Sequence, residues 1–346
     1  MPSMQIGVDL AKTIFEVAVS RVPGQVAERH RLSRARFPRF FAAQPPADVL
    51  LEACGSAHYW GRTLQALGHR VTLRPAAAVA RYRGGNKTDR ADATALLEAA
   101  RNADIARVPI KSVEQQALGA LHRLRQGYLQ TRTARINAVR GHLREFGVVI
   151  PMGASHVLPR ARAALAEEVV PVWLRLPLEE ALAEIGALEA KARALQAELA
   201  ALARHLPAAA WLQSVPGIGI LTATALLAFV GDIRRFRSGR DFAAYLGLTP
   251  REHSSGAVRR LGRITKRGDS YLRMLLIHGA RSALRAGQLT AQPDDLRTWA
   301  VGLARRKGYN VAAVALANKL ARVCWRVWTD QRPFERRRCA GEVIPS

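Results

Sequence analysis

Four acidic residues stand where their chemistry can converge. Asp9 follows the apolar run of a first strand at the point where the chain turns, and Glu52 ends the run Val49-Leu50-Leu51 ahead of Ala53-Cys54-Gly55. An acid at the end of a buried strand costs free energy unless it faces a site or a partner. Asp89 and Asp92 lie three apart in the first turns of a helix and so share a face. If those strand ends are neighbours and the helix packs beside them, four hard oxygen donors meet at one place. Such a set suits one or two Mg²⁺ ions, with Mn²⁺ as an alternative, and a metal pair about 4 Å apart stabilises both attacking and leaving oxygens in phosphoryl transfer. Each acid also has a structural reading: Asp89 complements the helix dipole, and Asp92 pairs with a nearby arginine. Taken together in this strand order, the four favour a site.

A second group lies far along the chain. Ser254 and Ser255 precede Gly256 and stand among Arg251, Arg259, Arg260, Arg263, Lys266, Arg267 and Arg273. A serine hydroxyl is a nucleophile for a phosphodiester when its proton is removed, and guanidinium groups hold the phosphate and the charge that grows on it. His253 is a candidate for proton transfer. On residue types alone, however, the two serines fit a solvated loop better. Upstream, Ser214-Val215-Pro216-Gly217-Ile218-Gly219 precedes the helical run Leu221–Val230. This reads as the turn of a helix-hairpin-helix, in which Gly217 and Gly219 let backbone N–H groups approach a phosphate at a helix N-terminus. Contacts of that kind read the backbone and carry no base sequence.

The elements that must position these residues follow from periodicity. Gln5–Leu10 and Ile14–Ser20 form a hairpin, a third strand falls around Val26–Arg31, and Asp48–Ala53 is a buried strand. Ala57–Leu67 is a helix, Arg70–Arg74 a strand, and Thr88 caps a helix running to about Arg101. That order is the one expected of an α/β RNase H-like domain. From Ser112 to Phe146, and again over Leu178–Leu206, long amphipathic helices predict either an antiparallel coiled-coil arm or a plain helical spacer. After Pro207 the chain is mainly α. The expected divisions are 1–105, 106–206, 207–331 and a basic tail over 332–346.

Charge names the partner class. Lys and Arg number 53 against 27 Asp and Glu, a net charge of +26, so the partner is a polyanion. No apolar run of about 18 residues and no signal peptide is present, which disfavours a membrane and predicts a cytoplasmic protein. Cys54, Cys324 and Cys339 have no zinc-ligand spacing and read as thiols of a reducing compartment. A hydrophobic content of 49% excludes a disordered basic tail.

These blocks, in order around a helical middle, resemble the insertion-sequence transposases of the IS110 family, relatives of the Piv pilin-gene invertases. At the front the resemblance rests on Gly7-Val8-Asp9-Leu10-Ala11-Lys12, Glu52-Ala53-Cys54-Gly55 and Lys87-Thr88-Asp89-Arg90-Ala91-Asp92-Ala93. At the back it rests on Pro216-Gly217-Ile218-Gly219, Gly247-Leu248-Thr249-Pro250, Ser255-Gly256 and Gly262-Arg263-Ile264-Thr265-Lys266-Arg267-Gly268. The resemblance implies a RuvC-like domain whose DEDD acids are Asp9, Glu52, Asp89 and Asp92. It also implies a nucleophilic serine at Ser255, with Ser254 as the fallback, and a covalent phosphoserine link formed in a site shared across subunits. Donor and target DNA, a structured guide RNA and a homo-oligomer (dimer or tetramer) are the partners it implies. The competing expectations are a RuvC-like junction-resolving nuclease that activates water, and a nucleic-acid-binding protein without enzymatic activity.

Overall fold

Nearly every residue inside β1 (Gln5–Asp9) and β2 (Ile14–Ser20) is buried, which is the burial of strands covered on both faces. The computed structural model describes residues 4–84, 88–167, 169–256, 258–290 and 295–335. Lys87, Cys339 and the tail beyond residue 335 lie outside the described residues. The chain divides into two compact units, Met1–Glu114 and Gln115–Ser346.

In the first unit β1 pairs antiparallel with β2, and β2 with β3 (Glu28–Ser33), two residues later than the periodicity predicts. After α1 (Arg36–Ala42), β4 (Asp48–Glu52) pairs parallel with β1. After α2 (Ala57–Ala66), β5 (Arg70–Arg74) pairs parallel with β4. The mixed five-stranded sheet has the order β3-β2-β1-β4-β5. Its two faces are divided by the period-2 alternation of each strand. Ile6, Val8, Val49, Leu51 and Leu73 face one way and pack with Phe37 and Phe41 of α1 and Trp60 of α2. Phe37 makes edge-to-face contacts with Phe15, Trp60 and, one helical turn on, Phe41 at 4.7 to 4.9 Å. The short α3 (Ala76–Val79) leads towards α4 (Asp89–Ala100), which covers the other face through Ala93, Leu96 and Leu97 over Ala18 and Leu50.

The remainder is largely helical. The long α5 (Val113–Glu145) is followed by α6 (Val157–Ala166) and α7 (Val172–Ala203). Arg125 bonds Gln196, Arg132 pairs with Glu189 and Arg135 with Glu184, so α5 and α7 run antiparallel. The helix predicted over Leu178–Leu206 instead begins six residues earlier, at Val172, and carries Pro177 inside. Proline removes one bond to the preceding turn, and the packing of Leu178, Leu182 and Ile185 against Ile136, Val139 and Leu143 holds the helix across that gap. Then come α8 (Pro207–Gln213), α9 (Ile220–Val230), α10 (Gly239–Tyr245), the two-stranded β6 (Pro250–Glu252) and β7 (Leu261–Ile264), α11 (Ser270–Leu289), α12 (Asp295–Lys307) and α13 (Tyr309–Asp330).

One buried polar link ties α5 into this core. Thr224 donates to the carbonyl of Ile220 at 2.7 Å, so at 3.0 Å it accepts from His122 Nε2–H. His122 Nδ1 is then the acceptor for the Tyr271 hydroxyl at 3.0 Å, which fixes a neutral ring and one tautomer. Burial, with the Arg125 charge second, holds the His122 pKa down at about 4. The unfolded chain therefore binds a proton below pH 6.5 that the folded chain refuses until about pH 4. Stability should fall across that window as the pH is lowered, by about 3 kcal/mol in total. Urea melts at pH 7 and pH 4.5 should show this loss, with a smaller one in His122→Gln; equal losses would sink the assignment.

Candidate active site

The two groups of residues that the sequence singles out lie one in each unit. In the first unit Gly7 and Asp9 alternate on one face of β1, and Leu50 and Glu52 on the same face of β4. Because β1 and β4 run parallel in register up to Val8 beside Leu51, Asp9 and Glu52 end adjacent strands. Gly7 is what lets α4 lie there: a Cβ at this position would stand 2.4 Å from the carbonyl oxygen of Ala93. Thr88 caps α4 by accepting the N–H of Ala91, as its sequence position predicts, and Asp89 and Asp92 fall in the first turn. Asp89 is exposed and Asp92 is buried.

These acids feel one another. The Asp9 carboxyl is pushed up to about 6, first by burial and then by the negative charges of Asp89, Asp92, Glu52 and Glu16. The half-buried Cys54 thiol is likewise raised by burial and by Glu52 and Asp9. Asp92 carries an ion pair with Arg83, the arginine pairing open to it on sequence grounds, and both side chains are mostly buried. Among the described residues no three His, Cys, Asp or Glu side chains are close enough together to hold a metal ion as they stand. The donor set still fits a hard divalent cation, since carboxylates are gathered at one sheet end closely enough to raise the Asp9 pKa. Arg83 escapes sequence reading because nothing in Arg81-Tyr82-Arg83-Gly84 carries a period or motif.

In the second unit the serines lie on a small antiparallel hairpin, β6 to β7. Ser255 and Val258 exchange backbone hydrogen bonds at 3.3 and 3.2 Å, closing the turn that holds Gly256. Ser255 is exposed, and its hydroxyl has no hydrogen-bond partner among the described residues. Ser254 is engaged: its hydroxyl donates to Glu252 Oε1 at 2.7 Å and accepts from the Arg260 N–H at 3.2 Å. Glu252 also pairs with Arg259 at 3.3 Å, and these contacts, Ser254 first, hold its carboxyl below the usual range. Glu252 is a residue the sequence reading passes over; its signal is the i, i+2 spacing to Ser254 in an extended segment. The His253 N–H donates to the carbonyl of Arg260. Arg251, Arg259, Arg260, Arg263, Lys266 and Arg267 are all exposed on or beside this hairpin.

The glycine blocks around the hairpin serve backbone crossing. A Cβ at Gly247, whose φ is +70°, would lie 2.0 Å from the carbonyl oxygen of Arg267; one at Gly268 would lie 2.0 Å from that of Tyr245. Arg273 clamps the crossing by donating to the carbonyls of Leu246 and Arg267 at 3.2 and 3.0 Å. Upstream, α8 and α9 are joined by the Ser214–Gly219 turn. Gly217 packs against the backbone of Gly279 in α11, whereas Gly219 is exposed at the start of α9.

Comparison with known proteins sharpens this geometry. Residues 209–293 match the model of the Transposase IS116/IS110/IS902 family, and residues 6–148 match a transposase model for the DEDD domain of IS110. A probable family 20 transposase of Pseudomonas aeruginosa is 45% identical over 327 residues, covering 93% of this chain and 95% of that protein. The chain belongs to the IS110 family of insertion-sequence transposases. The transposase for insertion sequence element IS1111A of Coxiella burnetii is 38% identical over 95% of the chain and 90% of its own length. The pilin gene-inverting protein of Moraxella lacunata is 30% identical over 130 residues, 37% of this chain and 39% of that protein. The transposase is thus a DNA phosphoryl-transfer enzyme whose DEDD domain implies a divalent metal. No helix among its described residues is long and apolar enough to cross a membrane.

Proposed function

We propose that the transposase exchanges DNA strands through a covalent phosphoserine formed on Ser255. The observation that carries this reading is an exposed hydroxyl, unengaged among the described residues, at the turn of a hairpin that presents six cations. Arg251, Arg259, Arg260, Arg263, Lys266 and Arg267 would hold the strand and the charge developing on the phosphoryl oxygens. The Ser255 Oγ loses its proton as it bonds to phosphorus, the bond to one sugar oxygen breaks, and that oxygen leaves protonated. A sugar hydroxyl of the second strand then attacks the phosphoserine, and Ser255 recovers its proton. In the first unit Asp9, Glu52, Asp89 and Asp92 would hold Mg²⁺ or Mn²⁺, which supplies Lewis-acid stabilisation of phosphoryl charge when bound. Ser254 is the second reading, favoured by its hydrogen bond to Glu252, a carboxylate placed to take its proton.

Around this chemistry we assign 1–105 to the metal domain, 106–206 to a coiled-coil arm and 207–331 to the serine domain, with a basic tail over 332–346. The serine domain's α8–α9 turn is assigned as a helix-hairpin-helix that offers the amides near Gly219 to a DNA backbone; the close packing of Gly217 gives the turn its shape. Cations that touch backbones leave sequence choice to another agent, which suits a structured guide RNA pairing with donor and target DNA. A homo-oligomer, dimer or tetramer, is supported at the far end of the α5–α7 pair, where Met152 is 93% and Trp173 82% exposed. Sedimentation of Trp173→Glu should show a smaller particle than the parent chain, and an unchanged mass would move the interface elsewhere. A cytoplasmic setting fits the unpaired thiols Cys54 and Cys324.

The test is a search for a denaturant-resistant protein–DNA adduct, with the element's flanking DNA, its RNA transcript and Mg²⁺ supplied. Loss of the adduct in Ser255→Ala and its persistence in Ser254→Ala is the expected outcome. The reverse pattern transfers the role to Ser254. Cleaved DNA with no adduct from the parent chain defeats the serine mechanism in favour of a water-activating nuclease.

A further inference from the structure

On the α4-covered face of the first unit's sheet, beyond the helix's C-terminal end, lies a polar pocket of about 660 Å³. Arg70 of β5 and Asp48 of β4 line it, and they satisfy each other through two hydrogen bonds at 2.6 and 3.0 Å. Arg74, two alternations along β5, is only 4% exposed. Its guanidinium donates to the carbonyls of Ile105 and Ala100, and its Nε is buried without a partner. Two carbonyl oxygens solvate that charge without neutralising it. Glu52, its register neighbour on β4, makes no ion pair with it among the described residues. Burial, and after it the charge of a second cation, Arg107, draws the Arg74 pKa down. Arg107 is exposed and lines the same pocket. A buried guanidinium beside another cation is costly unless an anion completes the arrangement. Arginines outnumber carboxylates in the lining, and Gln5, Gln65 and Thr72 add neutral hydrogen-bonding groups.

We propose that this pocket binds a phosphate group, supplied by the backbone of a nucleic-acid strand that crosses the first unit away from the four acids. A planar guanidinium suits phosphate geometry, and a backbone phosphodiester brings one negative charge to the buried Arg74 guanidinium, which its two carbonyl partners leave unneutralised. The site lies outside the serine hairpin and the α8–α9 turn. It rests on the chain's acting on DNA and on neither the metal nor the serine reading, so a failed adduct assay leaves it standing.

The experiment uses the full chain, a fluorescein-labelled DNA duplex read by anisotropy across a salt titration, and two single variants. Arg107→Gln removes a charge at the pocket rim. Arg36→Gln removes one from α1, on the opposite sheet face, as a control. Arg74 is left in place because it ties the chain at Ile105 to β5. Arg107→Gln should weaken binding about tenfold at low salt and flatten the log–log salt slope by about 0.9, the value for one phosphate contact, while Arg36→Gln keeps the parental slope. Equal slopes in all three proteins, or the same flattening in Arg36→Gln, overturns the proposal. Inorganic phosphate is the second arm, read by thermal shift. If it stabilises the parent chain but not Arg107→Gln while duplex slopes stay equal, the pocket takes a free anion and its assignment to a strand is overturned.

Discussion

Asp9→Asn should abolish transposition and, in the same protein, raise the thermal stability of the first unit. Asp9 is held at a strand end where burial and four neighbouring carboxylates push its pKa up to about 6. For an acid raised above its unfolded value of 3.8, the folded chain binds the proton more tightly. Ionisation therefore opposes folding: stability falls as pH rises from about 4 through about 6, and the full penalty applies at neutral pH. After screening of this partly exposed group the penalty is about 2 kcal/mol. Asparagine keeps the shape and removes the charge, so the variant should unfold several degrees higher at pH 7.5 and match the parent near pH 4 in calorimetry. Mg²⁺ should narrow the gap from the other side, stabilising the parent chain by mass action and the variant much less. A variant less stable than the parent at neutral pH would mean that Asp9 is a satisfied structural acid. Stability withheld in this way is the usual signature of a site that serves function.

The second large effect comes from a residue with no chemistry. Gly7→Ala places a methyl group 2.4 Å from the Ala93 carbonyl oxygen and 3.2 Å from Leu97 Cγ. Backbone cannot step aside as a flexible side chain can, so α4 must lift from the sheet, at a cost of about 3 kcal/mol. Since α4 carries Asp89 and Asp92, their pressure on Asp9 should relax as well, and transposition should be lost although Gly7 touches no reacting group. Gly55→Ala is the control, because a Cβ there meets nothing within 4 Å. Denaturant melts and a transposition assay on both variants decide the matter. A Gly7→Ala chain with parental stability and activity would show that α4 does not need its close seat on β1.

Much of the first unit is legible in the sequence because its signals are local. A strand end announces itself by an acid closing an apolar run, as Asp9 and Glu52 do, and a helix start by Thr88 ahead of paired acids. Helix α1 has no place in the sequence reading: Phe37 and Phe41 form its buried face, and Pro38 between them sits in the first turn, where proline is tolerated. In the second unit the serines read as a solvated loop, whereas the chain builds β6 and β7 around them. Those strands are three and four residues long and exposed along most of their length, so no alternation of burial marks them.

Charge partners follow the same division. The sequence by itself determined which residues could act: acids at strand ends, serines among arginines, a cationic excess that requires a polyanion. Only the tertiary structure decided what each one faces. Arg83 stands on Asp92, Glu252 takes the Ser254 hydrogen bond while Ser255 is exposed, and Gly217 is spent on packing against Gly279. The physical reason is range. Periodicity, capping and turn chemistry are set by neighbours within a few residues, whereas the energy of a charge or hydroxyl depends on which group is brought within a few ångströms by chain segments far apart in sequence.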